Sequence, residues 1–172
     1  VFKKEEFYEL PYKLFSHNDF DDVLIIGAGT GTDVQMALKN NVEHIDAVEI
    51  DPEILKIGQE LHPEKPYQDK RVSTYIDDAR SFMQKTESKY DLIIFALPDS
   101  VILAAGRGNI RLESFLYTLE AFTAAKNKLA PDGLLVLYNY YRQPWLIERL
   151  TGMLNTVFGD NSYVLTSGGG TN

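Results

Sequence analysis

Short apolar runs alternate with longer amphipathic segments along most of this chain of 172 residues. The apolar runs predict strands near residues 22–26, 44–49, 71–76, 90–96, 133–139 and 162–166. The amphipathic segments predict helices near residues 31–40, 52–61, 78–86, 113–129 and 143–158. Alternation of this kind predicts an α/β fold, in which a doubly wound, mostly parallel sheet is the middle of three layers.

The two ends of the chain bear on its domain organisation. The segment Phe2–Phe15 is typical of an amphipathic helix or cover that Pro11 breaks. We expect one domain over residues 1–172, with a cover segment over 1–20 and a core over 21–172. Because the chain begins with Val1 and not with Met, we also expect that it has been cut from a longer protein.

A glycine-rich turn carries the strongest functional signal. The run Val23-Leu-Ile-Ile-Gly-Ala-Gly-Thr-Gly-Thr-Asp33 leads from an apolar strand through Gly27, Gly29 and Gly31 into a helical pattern. Glycines at such a turn let the backbone approach a ligand that a side chain would hold off. Glu49, near the end of the next predicted strand, can accept hydrogen bonds from both hydroxyls of a ribose. Turn and acid together predict a nucleoside site.

The glycine spacing bears on which nucleoside binds. The dinucleotide fingerprint has its third glycine one residue later, where this chain has Thr32, so a nicotinamide-dependent oxidoreductase is the weaker alternative. The spacing fits the turn that binds S-adenosylmethionine and its relatives. Asp78 and Ala79 follow the third predicted strand, where a carboxylate can accept from an adenine amino group and a backbone N–H can serve a ring nitrogen.

Composition narrows the function further. The net charge of −8 and the pI near 4.9 argue against a nucleic-acid partner, which needs a basic surface. The chain has no cysteine, and its three histidines have no metal-ligand spacing, so we expect no metal site. No apolar run approaches the length of a membrane span, and no signal peptide is visible, so we expect a cytoplasmic location.

Six motifs give the chain a resemblance to the spermidine synthase family of aminopropyltransferases, within the class I S-adenosylmethionine-dependent methyltransferase fold. They are Val23–Gly31, Val48–Glu53, Asp78–Phe82, Tyr90–Ile94, Leu112–Tyr117 and Leu129–Leu134. The resemblance implies that S-adenosylmethionine or its decarboxylated form binds, with no metal. It places the glycines along the sulfonium side chain, Glu49 at the ribose, Ile50 on the adenine face, and Asp78 with Ala79 at the adenine edge. The implied cofactor-binding residues are Gly27, Ala28, Gly29, Thr30, Gly31, Asp33, Glu49, Ile50, Asp78, Ala79 and Ala96.

The chain departs from the family at two places. The family pattern puts two acids after strand four, and here Ala96 stands at the first and Asp99 at the second. Asp99 is therefore the candidate catalytic residue, because a protonated amine must lose a proton before it attacks. The seventh strand of the fold is also missing after the predicted strand at 162–166. Following strand five, the cluster Tyr138–Trp145 either lines a cation pocket or packs in the core.

We therefore expect a transferase that moves a methyl or aminopropyl group to a small acceptor such as an amine. The alternative is a non-catalytic nucleoside-binding or regulatory domain of a membrane-associated protein, which the loss of an acid at Ala96 favours. Membrane association would require segments outside this chain. The sequence leaves open whether the protein forms a homo-oligomer.

Overall fold

The computed structural model describes residues 6–15, 20–96, 116–138, 144–159 and 161–165. The strands are β1 (Asp22–Ile26), β2 (His44–Glu49), β3 (Val72–Ile76), β4 (Tyr90–Phe95) and β5 (Leu129–Leu137). The helices are α1 (Glu6–Leu14), α2 (Thr32–Lys39), α3 (Pro52–Leu61), α4 (Ala79–Lys85), α5 (Leu119–Lys128) and α6 (Pro144–Phe158), with a short 3₁₀ helix at Pro66–Gln68.

The five described strands form one parallel sheet in the order β3-β2-β1-β4-β5. The first strand lies in the middle, and the chain winds outward from it in both directions. Consecutive strands are joined by helices, as parallel pairing requires. This confirms the predicted α/β fold, and it brings the carboxyl ends of β1, β2 and β4 to one edge of the sheet.

Two apolar layers cover the two faces of the sheet. Alternate residues of the central strands point to opposite faces, so Val23 and Ile25 pack on one side and Leu24 and Ile26 on the other. The first side is covered by α1, α2 and α3, and the second by α4, α5 and α6. Because both faces are buried, these strands are apolar throughout, and they position the polar groups at their ends.

The N-terminal segment differs from the prediction in one respect. Helix α1 runs from Glu6 to Leu14 without a break at Pro11. Proline removes one intrahelical hydrogen bond, to the carbonyl four residues earlier. In compensation, Pro11 and Tyr12 are buried against the rest of the protein, and the Pro11 carbonyl accepts from the Phe15 N–H at 3.2 Å.

Strand β5 begins earlier than predicted, at Leu129. Tyr90 pairs with Leu129 and Leu92 with Leu134, so a two-residue step on β4 faces a five-residue step on β5. The sequence Pro131-Asp-Gly133, predicted as a turn before the strand, forms this bulge inside it, with Asp132 at a φ of 63°.

Two further boundaries are wrong in the prediction. The helix predicted over residues 113–129 is interrupted at residues 117 and 118. Helix α5 begins at Leu119, where the Thr118 side chain accepts from the Ala121 N–H at 3.1 Å and caps it. Residues 161–165 are not a strand, although one was predicted near 162–166. Tyr163 is 85% exposed there and no neighbouring strand in the described parts pairs with this segment. In the same parts, no helix is both long enough and apolar enough to cross a membrane.

Gly58 provides a test of the packing between α3 and the turn after β1. A Cβ on Gly58 would lie 2.7 Å from the Thr30 carbonyl oxygen and 2.8 Å from the Tyr67 ring. We expect Gly58→Ala to lower the free energy of unfolding by about 1–3 kcal/mol, the usual range for overpacking, as measured by urea denaturation.

Gly152 in α6 is the matched control. A Cβ there meets nothing within 4 Å, and the residue is exposed in a helix. Gly152→Ala should raise the free energy of unfolding by about 0.5–1 kcal/mol, through helix propensity alone. Equal effects of the two substitutions would contradict the close approach at Gly58.

Candidate functional site

The glycine turn follows β1 at the carboxyl edge of the sheet. Gly27, Gly29 and Gly31 all have positive φ values, of 75°, 57° and 103°. The N–H groups of Gly27 and Ala28 both donate to the Val48 carbonyl, at 2.8 and 3.0 Å, which ties the turn to β2. Residues with a Cβ rarely adopt such backbone angles, so the three glycines give the turn its shape.

Glu49, the last residue of β2, joins the turn to helix α3. Its side chain is 6% exposed, and its two carboxylate oxygens accept from the Gly29 N–H at 2.8 Å and the Asp51 N–H at 2.9 Å. A carboxylate oxygen has more than one acceptor position, so each can still accept another hydrogen bond. Glu49 therefore organises the turn and remains able to bind a hydroxyl group.

Tyr67, on the 3₁₀ helix, holds the turn from the other side. Its hydroxyl donates to the carbonyls of Ala28 and Gly29, at 3.0 and 2.8 Å. Its ring packs so closely on Gly31 that a Cβ there would lie 2.9 Å away. Burial raises the pKa of this hydroxyl, and the nearby Glu49 and Asp33 carboxylates raise it further. Tyr67 thus remains a neutral donor.

The residues predicted for the adenine lie beside Glu49. The Asp77 N–H donates to the Glu49 carbonyl at 3.2 Å, which brings the end of β3 to the end of β2. Asp78 caps helix α4, where its Oδ1 accepts from the N–H groups of Arg80 and Ser81 at 3.1 Å each. Ile50 is 45% exposed at the same edge, and Ala79 is half-buried at the start of α4.

Asp33 occupies a different environment from the other acids. It lies in the first turn of α2, is 6% exposed, and its Oδ1 accepts no hydrogen bond from any described residue. Burial raises the pKa of the Asp33 carboxyl to about 7, although its own backbone N–H opposes the shift. Thr30, in contrast, is exposed within the turn.

Comparison with known proteins identifies the family to which the chain belongs. The profile of the spermine/spermidine synthase domain matches residues 4–162. The chain belongs to this family. It is 33% identical over 135 residues to the polyamine aminopropyltransferase of Lachnoclostridium phytofermentans, with 77% of this chain and 44% of that protein covered. It is 34% identical, with the same shares covered, to the polyamine aminopropyltransferase of Clostridium perfringens. The chain thus spans less than half the length of these relatives.

Solved structures show the same fold at lower sequence identity. Spermidine synthase from Thermotoga maritima superposes with a TM-score of 0.73 at 20% identity, covering 90% of this chain and 52% of that chain. Human methyltransferase-like protein 13 in complex with SAH superposes with a TM-score of 0.68 at 20% identity, covering 92% and 74%. These likenesses establish the class I methyltransferase fold.

The end of β4 is the place where the sequence analysis predicted a departure from the family pattern. Ala96 is buried there, and its N–H donates to the Ile26 carbonyl at 3.0 Å beside the glycine turn. The predicted catalytic residue, Asp99, lies outside the described residues, as do all of residues 97–111. Among the residues of the cluster after β5 that the structure describes, Tyr138 is buried and Trp145 is 58% exposed.

Two residues near the site were missed in the sequence. Tyr67 lies in a polar, proline-containing stretch, His62–Tyr67, without a periodic pattern that would signal burial. Tyr12 lies in the N-terminal cover segment, which carried no functional prediction. Neither residue stands out without the tertiary contacts. Among the described residues, no group of three acidic or histidine side chains is arranged to hold a metal ion.

The buried carboxyl of Asp33 predicts how stability depends on pH. An acid whose pKa rises from 3.8 to about 7 on folding binds more protons in the folded state between those values, so stability falls as pH rises through that window. Asp33→Asn has no carboxyl to titrate at this position, so it avoids this loss of stability. We expect its free energy of unfolding, relative to that of the wild type, to rise by about 2–3 kcal/mol between pH 5 and pH 8, as measured by urea denaturation.

Glu53→Gln is the control, because Glu53 is exposed in the first turn of α3 and carries the same charge. Its difference from the wild type should not follow the Asp33→Asn curve. An Asp33→Asn difference that stays constant from pH 5 to pH 8 would show that the carboxyl titrates in an ordinary environment.

Proposed function

We propose that this chain is the nucleoside-binding core of a spermidine-synthase-like transferase. It takes decarboxylated S-adenosylmethionine, or S-adenosylmethionine itself, and its acceptor is a small amine. Either nucleoside supplies a carbon atom that the adjacent sulfonium already activates. The protein therefore has to align the acceptor with this carbon and exclude water. The names of the curated relatives, polyamine aminopropyltransferases, favour the decarboxylated form and a polyamine acceptor.

The observation that carries the proposal is the position of Glu49. Its buried carboxylate lies against the Gly29 N–H at the carboxyl edge of the sheet, where ligands of open α/β folds bind. Two fixed backbone donors orient the carboxylate before any ligand arrives. Such a group can accept from the two hydroxyls of a ribose with little reorganisation, which favours binding.

The adenine would lie between Ile50 and the start of α4. Ile50 offers an exposed apolar surface one residue after the ribose acid. The cap on α4 uses Oδ1 of Asp78, so Oδ2 can accept from the adenine amino group, and the Ala79 N–H can donate to a ring nitrogen. The Asp77 N–H donates to the Glu49 carbonyl, so the residues proposed for the adenine and the residue proposed for the ribose are held next to each other.

The glycine turn fits a sulfonium nucleoside because it leaves room beside the backbone. Ala28, Gly29 and Thr30 form the part of the turn that borders Glu49, and Gly27 lies next to Ala96. A Cβ on Gly27 would approach the Ala96 carbonyl oxygen at 3.6 Å and fill this space. The side chain of the nucleoside would therefore run along the turn toward the end of β4.

Calorimetry with four ligands tests the proposal. We expect decarboxylated S-adenosylmethionine, S-adenosylmethionine and 5′-methylthioadenosine to bind, and NAD not to bind, because the turn and Asp78 fit one adenosine and not a pyrophosphate. Binding of NAD in preference to the sulfur nucleosides would overturn the assignment. Binding of the nucleosides without any group transfer would support a non-catalytic domain instead.

Glu49 provides the first mutational prediction. Glu49→Ala should weaken the binding of 5′-methylthioadenosine by about 1.5–3 kcal/mol, the range for hydrogen bonds to a charged group, as measured by calorimetry. Because the residue also holds the turn, the ribose contact needs separate evidence. A nucleoside lacking the 2′-hydroxyl should lose affinity for the wild type and much less for Glu49→Gln.

Glu53→Ala is the matched control for charge, since it removes a carboxylate from the same strand–helix junction at an exposed position. It should leave nucleoside affinity within about 0.5 kcal/mol of the wild type. If the deoxynucleoside loses the same affinity with the wild type and Glu49→Gln, the ribose does not bind to Glu49.

Ala96 provides the second prediction. In this position the family pattern has an acid that would take a proton from the amine, so we expect slow aminopropyl transfer to putrescine by the wild type. Ala96→Asp should raise the rate about tenfold or more, because positioned general bases contribute at least that much. Ala96→Asn, equal in size and uncharged, should not. Fast transfer by the wild type would mean that another base serves, and equal rates for the two variants would exclude position 96.

A further inference from the structure

Two buried polar groups lie on helices α1 and α2, which pack against each other. The Oδ1 of Asp33 and the hydroxyl of Tyr12 are both buried, and neither forms a hydrogen bond with a described residue. Burial raises the pKa of the Tyr12 hydroxyl, and the Asp33 carboxylate is near enough to raise it further. Buried polar groups are almost always satisfied, and an exception calls for an explanation such as a ligand.

This pair lies beside the glycine turn. The Asp33 charge also raises the pKa of Tyr67, whose hydroxyl bonds to the carbonyls of Ala28 and Gly29. Tyr12 belongs to the same buried cluster as Ala28, Ala96 and Tyr138, which follow β1, β4 and β5. Asp33 lies two residues after Gly31, in the first turn of α2, and so at the carboxyl edge of the sheet, next to the path proposed for the nucleoside's side chain.

Aromatic rings pack against the tyrosines of helix α1. Tyr8 of α1 packs edge-on against Tyr138 with ring centroids 5.8 Å apart, and Tyr12 packs edge-on against Phe20 at 6.0 Å. Ring faces attract cations, and a buried carboxylate attracts them more strongly. A carboxylate, a hydroxyl acceptor and several rings together favour a cation with N–H donors, and they disfavour an anion.

We propose that Asp33 and Tyr12, with the ring of Tyr138, form a binding site for a primary ammonium group. The proposal rests on the proposed function and deepens it, because it assigns to Asp33 a negative charge that Ala96 does not supply. Asp33 Oδ1 and the Tyr12 hydroxyl oxygen would accept the N–H bonds of the ammonium. The site would also disfavour ligands with a carboxylate in the same place, and so select the decarboxylated nucleoside.

The ammonium has two sources in this reaction class. One is the end of the nucleoside's own aminopropyl chain, and the other is the diamine acceptor. Both are alkylammonium groups, so the site chemistry is the same and the ligands must tell them apart. 5′-Methylthioadenosine serves as the reference ligand, since it keeps the adenosine and the sulfur and lacks the aminopropyl ammonium.

The first arm measures nucleoside affinity by calorimetry for the wild type and Asp33→Asn. If the nucleoside's ammonium binds here, the variant loses at least tenfold in affinity for decarboxylated S-adenosylmethionine and keeps its affinity for 5′-methylthioadenosine. The second arm adds putrescine to the 5′-methylthioadenosine complex. If the acceptor's ammonium binds here, Asp33→Asn loses at least tenfold in affinity for putrescine. It then loses little affinity for decarboxylated S-adenosylmethionine in the first arm.

A proton measurement separates binding from a structural role. Near pH 6.5 the Asp33 carboxyl must release a proton to receive an ammonium. The titratable groups that its charge reaches are Tyr12 from α1 and Tyr67 from the 3₁₀ helix, and Tyr67 in turn lies near Glu49 of β2. The apparent binding enthalpy of the wild type should therefore change with the ionisation enthalpy of the buffer. The change should vanish with Asp33→Asn and with 5′-methylthioadenosine as ligand.

Tyr12→Phe is the second variant, and it should show a smaller loss for the same ligand as Asp33→Asn. Unchanged affinity in both arms, or an equal loss for 5′-methylthioadenosine, would overturn the ammonium site and leave the proposed function standing. A wild type that binds no nucleoside would overturn the proposed function. The site would then be judged on putrescine binding alone, and a wild type and Asp33→Asn with equal putrescine affinity would refute it.

Discussion

The carboxylate of Glu49 holds together three parts of the chain that meet at the carboxyl edge of the sheet. It ends β2, accepts from Gly29 in the glycine turn, and accepts from Asp51 at the start of α3. A carboxylate buried away from water needs such donors, because an unpaired charge there is costly. The turn cannot move without unpairing the acid. The geometry of the site is therefore fixed by a charge and not by apolar packing alone.

A steric constraint acts on the same turn from the opposite side. Tyr67 bonds to two turn carbonyls while its ring fills the space where Gly31 and Gly58 have no side chain. Glycine at these positions weakens the helix and the turn intrinsically, since it loses more conformational freedom on folding than other residues. The close approach of α3, the 3₁₀ helix and the turn compensates. Residues distant in sequence therefore depend on one another for the shape of the turn.

The local sequence pattern was sufficient to predict the sheet, and insufficient to predict the burial of Asp33. Strands buried on both faces are apolar without interruption, so Val23–Ile26 and Leu92–Phe95 could be predicted from sequence, and their parallel order followed from the helices between them. The helix through Pro11 and the unpaired segment 161–165 could not, because tertiary contacts or their absence decide both. The glycine turn and Glu49 were recognisable from spacing. The burial of Asp33 was not, since it depends on α1 packing over α2 from another part of the chain.

Strand ends and helix starts both lie at the carboxyl edge of a parallel sheet. An acidic side chain can therefore reach the same site from a strand end or from a helix start. In this family member, the position after β4 is apolar at Ala96, while the start of α2 carries a buried acid at Asp33. The two differ physically. An acid after a strand end can remain hydrated and ionised, whereas burial under α1 favours the neutral form of Asp33, and a cation beside it would favour the ionised form. A site built this way would couple the ionisation of Asp33 to the binding of an ammonium group.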